Sequence, residues 1–265
     1  MKSNDFNHGR KAPLLWHGGE EMKAFLGWAL CAAMSASPLF AAGTFETDRL
    51  PTSAGDLKIT FIGHASLMFE FGGKVIYNDP AGEFGDYSKL PKADLILVGH
   101  EHGDHFDLEA INIIRKSGTK LVLTSLCAAK TKDGIVLKNG EETTIDGIRI
   151  EAVPAYNLVH MRSPGVPYHA KGVGNGYILT LGDKRLYVAG DTENIPEMKG
   201  LGRIDVAFLP MNLPYTMTPE MAADAARMVK PAILYPYHTT DTDMSKLQPL
   251  LKDEKGIEIR IRRMK

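Results

Sequence analysis

The sequence predicts an α/β protein built as two similar halves, each contributing a sheet covered by helices on its outer face. Three observations carry that expectation. Apolar runs of strand character alternate with stretches of helical spacing between residues 57 and 261. The order strand, helix, strand occurs twice, although the letters themselves show no repeat. The side chains best suited to bind metal stand where apolar strands end at a glycine or a turn.

After a short polar lead (residues 44–56), Leu57-Lys58-Ile59-Thr60-Phe61-Ile62 alternates as a strand, and residues 66–71 alternate again. Gly72-Gly73 marks a two-residue hairpin before Lys74-Val75-Ile76-Tyr77. The chain therefore opens as an antiparallel meander. His64 lies in its first turn, and Asp79 ends its third strand ahead of Pro80. Residues 82–91 read as a loop and 94–98 as a buried strand. Residues 107–116 have helical spacing, with Leu108, Ile111 and Ile114 apolar and Gly118 as the stop. Leu121-Val122-Leu123 makes the next strand, and residues 135–153 alternate in short strands punctuated by Asn139-Gly140 and Asp146-Gly147. Residues 156–176 contain Pro164 and Pro167 and little apolar periodicity, which marks a functional loop. In the second half, residues 176–181 and 185–189 form a hairpin through Gly182-Asp183 that runs into Gly190-Asp191-Thr192. Residues 206–209 are a buried strand. Thr218-Pro219-Glu220 opens a helix with an N-cap, a first-turn proline and a first-turn acid, and Pro231 ends it. Residues 232–237 lead to His238, a helix follows near 244–251, and 257–261 close the chain as a strand.

The chemistry concentrates in Gly99-His100-Glu101-His102-Gly103-Asp104-His105-Phe106-Asp107, where four metal-binding side chains fall within six residues. His100 and His102 are two apart in an extended segment, so they share a side and can grip one ion. Asp104 and His105 follow where the chain turns toward a helix and can face a second ion, as two-metal hydrolytic sites require. The strand ends bearing Asp191 and His238 can converge on the same edge, Asp191 bridging two ions and His238 completing the second site.

At 265 residues, 44% hydrophobic and net charge -1, the chain can bury one large core or two fused smaller ones. No basic excess points to a polyanion, so nucleic acid is not an expected partner. Met22-Lys23, the apolar stretch 24–34 and the small-residue ending Phe40-Ala41-Ala42-Gly43 read as a secretory signal, too short to span a bilayer. Residues 22–42 are thus expected to be a signal peptide and 43–265 a periplasmic or secreted domain with no stable membrane anchor. Residues 1–21 are expected to be a mis-start, because Gly18-Gly19-Glu20-Glu21 is what a purine-rich ribosome-binding site ahead of Met22 would encode. Loss of this leader removes Cys31 and leaves Cys127 alone, which rules out an internal disulfide. Cys127, at an expected helix start, reads as a small buried hydrophobe.

His100-x-His102-x-Asp104-His105, Gly190-Asp191 and His238, in this order over residues 57–261, resemble the signature motifs of the metallo-β-lactamase-fold hydrolases. Gly63-His64-Ala65-Ser66, the strand ending at Asp79 and Ala189-Gly190-Asp191-Thr192-Glu193 look most like one branch of them. That branch contains ascorbate-phosphate lactonase-like enzymes and N-acyl phosphatidylethanolamine phospholipase D relatives. The resemblance implies an αββα four-layer sandwich with a two-metal site at its rim. His100 and His102 would hold the first ion, Asp104, His105 and His238 the second, and Asp191 would bridge them. One position departs from the pattern. Where many relatives place a histidine after the strand-end alanine, this chain has Val153-Pro154-Ala155-Tyr156-Asn157. His169 is the expected third ligand of the first ion, with His160 or Asn157 as alternatives. An aspartate at 191 also separates the chain from true β-lactamases and points to esters, thioesters, lactones and phosphodiesters.

The expected cofactors are two divalent ions, zinc first, with manganese or iron as alternatives. Together they would lower the pKa of a shared water toward about 7 and supply hydroxide. Asp104 would orient that hydroxide. His64 would protonate the leaving group or orient a neighbour. Asp79 is expected behind the ligands, and Asn212 and Tyr215, in the loop 210–216, against substrate. The expected activity is metal-dependent hydrolysis of a small molecule; a metal-binding or di-iron redox protein on the same fold is the alternative.

Overall fold

A computed structural model describes residues 45–131 and 133–264. The mis-start and signal peptide expected over 1–42 lie outside the described residues. The first half comprises β1 (Glu46–Thr52), β2 (Gly55–Gly63), β3 (Ser66–Phe71), β4 (Lys74–Asn78), β5 (Leu95–Leu97), α1 (Leu108–Ile114), β6 (Lys120–Leu123), α2 (Ser125–Thr131) and β7 (Ile135–Val136). The second comprises β8 (Glu142–Ile145), β9 (Ile148–Ala155), β10 (Met161–Ser163), β11 (Val166–Pro167), β12 (Gly174–Leu181) and β13 (Lys184–Val188). It continues through β14 (Val206–Pro210), α3 (Pro219–Val229), β15 (Ile233–Tyr237), α4 (Leu247–Leu250) and β16 (Glu258–Ile259).

The halves repeat one topology. The first sheet runs β1-β2-β3-β4-β5-β6-β7, and the second runs β8-β9-β12-β13-β14-β15-β16 from its own edge. In each, an antiparallel meander of four strands gives way to parallel pairing, at β4–β5 in one and β13–β14 in the other. Parallel neighbours need a crossover, and α1 and α3 supply it. Asp107 caps α1 by accepting from the Glu109 and Ala110 amides at 2.8 and 3.2 Å. Thr218 caps α3 by accepting from the Met221 amide at 3.1 Å, with Pro219 in the first helical position.

Three apolar clusters make four layers. Leu57, Phe69 and Leu97 of the first sheet interleave with Leu179, Val188 and Phe208 of the second, forming the central core. On the outer face of the first sheet, Ile96 and Leu123 pack against Ile111 and Ile114 of α1 and Cys127 of α2. Across the molecule, Tyr187 and Leu209 pack against Ala222 and Ala226 of α3 and Leu247 of α4. The αββα sandwich expected from the sequence is the observed fold.

Three segments differ from expectation. The polar lead contains β1, an edge strand paired with β2 over its whole length; its Pro51 is tolerated because an edge leaves one side unpaired. The expected helix near 244–251 is a 3₁₀ turn followed by the four-residue α4. The loop 156–176 contains the small hairpin β10–β11.

Candidate metal centre

Seven strand ends or turns deliver polar side chains to one rim of the sandwich. His64 sits between β2 and β3, Asp79 after β4, the run from His100 to His105 after β5, Asp191 after β13, Asn212 after β14 and His238 after β15; Asn157 follows β9. Close backbone packing lets the two main loops meet. A Cβ on Gly99 would lie 2.9 Å from the Asn175 carbonyl oxygen, and one on Gly190, whose φ is +67°, would lie 2.7 Å from the same atom. Only glycine lets both loops approach the end of β12 this closely.

The centre is organised around Asp191. Its Oδ2 lies 3.2 Å from His169 Nε2 and 3.7 Å from His100 Nε2. Its Oδ1 lies 3.2 Å from His105 Nε2 and 3.3 Å from His238 Nε2. His102 joins the first set, its Nδ1 being 3.0 Å from His100 Nε2. Asp104 joins the second, its Oδ2 being 3.5 Å from His105 Nε2 and 3.6 Å from His238 Nε2. The donor atoms of His100, His102 and His169 fall within 4.8 Å of one another, as do those of His64, Asp104, His105 and His238. One carboxylate therefore separates two donor sets.

The outer contacts hold these rings in place. Asp79, itself buried, meets His105 Nδ1 at 2.9 Å with one oxygen and accepts from the Gly99 amide at 2.7 Å with the other. His64 Nε2 lies 3.1 Å from Asp104 Oδ2, and its ring stacks on Phe84 with centroids 4.6 Å apart. Asn157 is not aimed at the first donor set. Its Oδ1 accepts from the His169 backbone amide and faces His169 Nδ1, both at 2.8 Å, so it orients the imidazole that enters the set. His160 turns away toward Glu193, with Nδ1 2.6 Å from Oε1. Asn212 Nδ2 is 3.5 Å from His238 Nδ1, and Asn212 and Tyr215 line the cavity in front of Asp104.

Sequence reasoning missed Glu193. Fully buried, it accepts from the backbone amides of Leu158, Val159 and His160 at 2.6 to 2.7 Å, and from Asn157 Nδ2 at 3.1 Å. An acid two residues beyond the strand-end Asp191 was its only signal.

Burial opposes charge throughout the centre, and the carboxylates answer it unevenly. His100 is pushed well below the usual imidazole range by burial and by its neighbouring imidazoles. His105 is raised well above that range, because Asp191 and Asp79 outweigh its burial. His238 is likewise raised to about 9, Asp191 and Asp104 overcoming burial. Despite its own burial, Asp191 is held far below the carboxylate range by His105, His238 and His100. Asp104 is also lowered against its burial, through His238 and His64.

A divalent cation fits this donor set. Asp191 Oδ1 is buried and accepts no hydrogen bond, although imidazole nitrogens surround it. His105 Nε2 and His238 Nε2 face each other at 3.2 Å, a gap with room for one proton between two ring nitrogens. A shared cation satisfies all these lone pairs at once, and neutral imidazole with carboxylate is a set that zinc, manganese and iron accept.

A four-layer αββα sandwich with a His/Asp cluster at its rim defines a protein of the metallo-β-lactamase fold. Residues 58–238 match the Beta-lactamase superfamily domain. The chain is 38% identical over 195 residues to a UPF0173 metal-dependent hydrolase of Thermococcus kodakarensis, covering 69% of this chain and 84% of that protein. It belongs to the UPF0173 metal-dependent hydrolase family. Among solved structures, a candidate metal-dependent hydrolase from Parabacteroides distasonis is 50% identical with a TM-score of 0.80, covering 84% of this chain and all of that one. Igni18, a metallo hydrolase from Ignicoccus hospitalis, is 26% identical with a TM-score of 0.65, over 78% of this chain and 95% of its own.

Proposed function

We propose that this chain is a dinuclear metal-dependent hydrolase that cleaves a small-molecule ester, lactone or phosphodiester outside the cytoplasm. The observation that carries the reading is the partition at Asp191, where each oxygen of one buried carboxylate faces its own donor set. His100, His102 and His169 would hold one ion and Asp104, His105 and His238 the other, zinc being the first choice for such donors. Bound there, the ions supply a hydroxide nucleophile at neutral pH and polarise the attacked oxygen.

The protein's own groups do the rest. Asp104, 37% exposed beside a cavity of about 610 Å³, is placed to orient the attacking water. His64 acts as a positioning residue: its Nε2 faces Asp104 at 3.1 Å and its ring stacks on Phe84, which holds both side chains at the cavity wall. Water entering the open cavity would protonate the leaving group. Asn212 and Tyr215 line the same cavity and would contact substrate. Within this reading, the likeness of Gly63-His64-Ala65-Ser66 and residues 189–193 to the ascorbate-phosphate lactonase and phospholipase D branch favours lactones and phosphodiesters. Export rests on the signal-like stretch 22–42.

Elemental analysis of protein lacking residues 1–42, coupled to an ester, lactone and phosphodiester panel, tests this directly. Two zinc or manganese ions per chain in a colourless protein with turnover on the panel is the expected result. A coloured iron protein inert toward every substrate would replace it with the redox alternative.

A further inference from the structure

The segment that brings His169 to the metal centre also carries Arg162. This residue lines both the cavity of about 610 Å³ before Asp104 and a second of about 270 Å³ beside His100. Among the described residues it is the one lysine or arginine on either wall, and it forms no ion pair there. Its guanidinium lies 5.8 Å from the centre of the Tyr168 ring.

The segment that carries the arginine is fixed beside the centre. Its hairpin, β10–β11, is clamped at the base where residues 157 and 169 exchange hydrogen bonds of 2.9 and 2.8 Å. Glu193 gathers the three preceding amides, 158 to 160. Tyr168 packs edge-on against Tyr215, with centroids 5.0 Å apart. The backbone that carries Arg162 is thus fixed by the same hydrogen bonds that orient His169.

Resting on the hydrolase reading above, we propose that Arg162 is a specificity residue that binds a free carboxylate on the substrate. The substrate class is an ester or lactone whose apolar body also bears a carboxylate remote from the scissile bond. A guanidinium pairs with a carboxylate through two parallel hydrogen bonds. Leu126, Val166, Pro167 and Val173 line the smaller cavity beside Arg162 and suit an apolar spacer. Glu83 and Glu101 also line these walls, and their charge favours a monoanion over a phosphate dianion. Hydrolysis adds water across the ester, releasing the alcohol and a second carboxylate.

Metal-loaded protein is compared on 4-nitrophenyl hydrogen glutarate, which has a free carboxylate, and its neutral methyl ester. Wild type is expected to favour the anionic member in kcat/KM by about tenfold or more, the scale of a hydrogen bond to a charged group. Arg162→Gln brings that ratio close to one, and Arg162→Lys falls between. A wild-type ratio near one, or one that Arg162→Gln leaves unchanged, overturns the proposal. Calorimetric binding of 4-phenylbutyrate reads the same contact without turnover. About tenfold weaker binding to Arg162→Gln supports the proposal, and equal affinity, as expected for carboxylate held by metal alone, overturns it. If neither ester is hydrolysed but the binding difference is present, the hydrolase reading falls and the carboxylate site stands. Arg162-dependent binding of phenyl phosphate tighter than that of 4-phenylbutyrate would overturn the choice of carboxylate in favour of phosphate.

Discussion

Each oxygen of Asp191 faces a different donor set, so removing the side chain withdraws a contact from both at once. Asp191→Ala should therefore lower the metal content of purified protein at both positions, as read by elemental analysis; full content would remove Asp191 from the centre. Asn157 acts one step away, through its contact with His169 Nδ1. Asn157→Ala should weaken metal binding by about 10–100-fold, the usual cost of losing a ligand's hydrogen-bonding partner, in chelator competition. His160→Ala should leave that affinity unchanged, since its ring is turned to Glu193. The run from His100 to His105 was legible because alternation in a strand end decides which side chains share a side. His169 was the expected ligand among Asn157, His160 and His169, but no periodicity within those thirteen residues of loop dictates where each side chain points, and it is the structure that aims His169 Nε2 at Asp191 Oδ2.

At the scale of elements, local signals were read well where they were strong. The Thr218-Pro219-Glu220 start places α3 within one residue of expectation, and Gly72-Gly73, with φ of 56° and 74°, makes the expected hairpin. Thr218→Ala should cost about 1 kcal/mol of stability, the worth of one N-cap, with metal content unchanged; thermal denaturation and elemental analysis check both. Gly190→Ala should do more harm. Its Cβ would meet the Asn175 carbonyl at 2.7 Å in a positive-φ conformation, so a loss of about 2 kcal/mol is expected, together with weakened metal binding. Where signals were mixed, elements were misread. The strand β1 has only Leu50 buried, so it offered no apolar alternation. Pro249 inside the expected last helix keeps residues 244–246 out of α4, because proline is tolerated only in a first turn and clashes with the carbonyl four residues before it.

Across the whole molecule, Asp48 of β1 ties the first sheet to the chain's end. It accepts from Tyr235 of β15 and makes paired hydrogen bonds of 2.7 and 2.8 Å with Arg262, beyond β16. Burial opposes its ionisation, but Tyr235, Arg262 and Arg260 together hold its pKa below the ordinary 3.8. A depressed pKa means the contribution is complete above about pH 4 and is lost as pH falls through the folded-state value. Asp48→Asn should thus destabilise the protein by about 2 kcal/mol at pH 7. The gap to wild type should narrow in acid; melting curves of equal separation at pH 7 and pH 3 would contradict this role. By itself the sequence determined the strand and helix order, the two-half architecture and the residues rich in metal-binding chemistry, because these follow from periodicity, caps and spacing over a few residues. Only the tertiary structure decided how the imidazoles divide between the two oxygens of Asp191, that Asn157 and Glu193 support the segment carrying His169, and that Arg162 lines both cavities beside the centre. Those facts depend on where strand ends and loops meet in space, and on which way each side chain points when they do, and neither is written in local pattern.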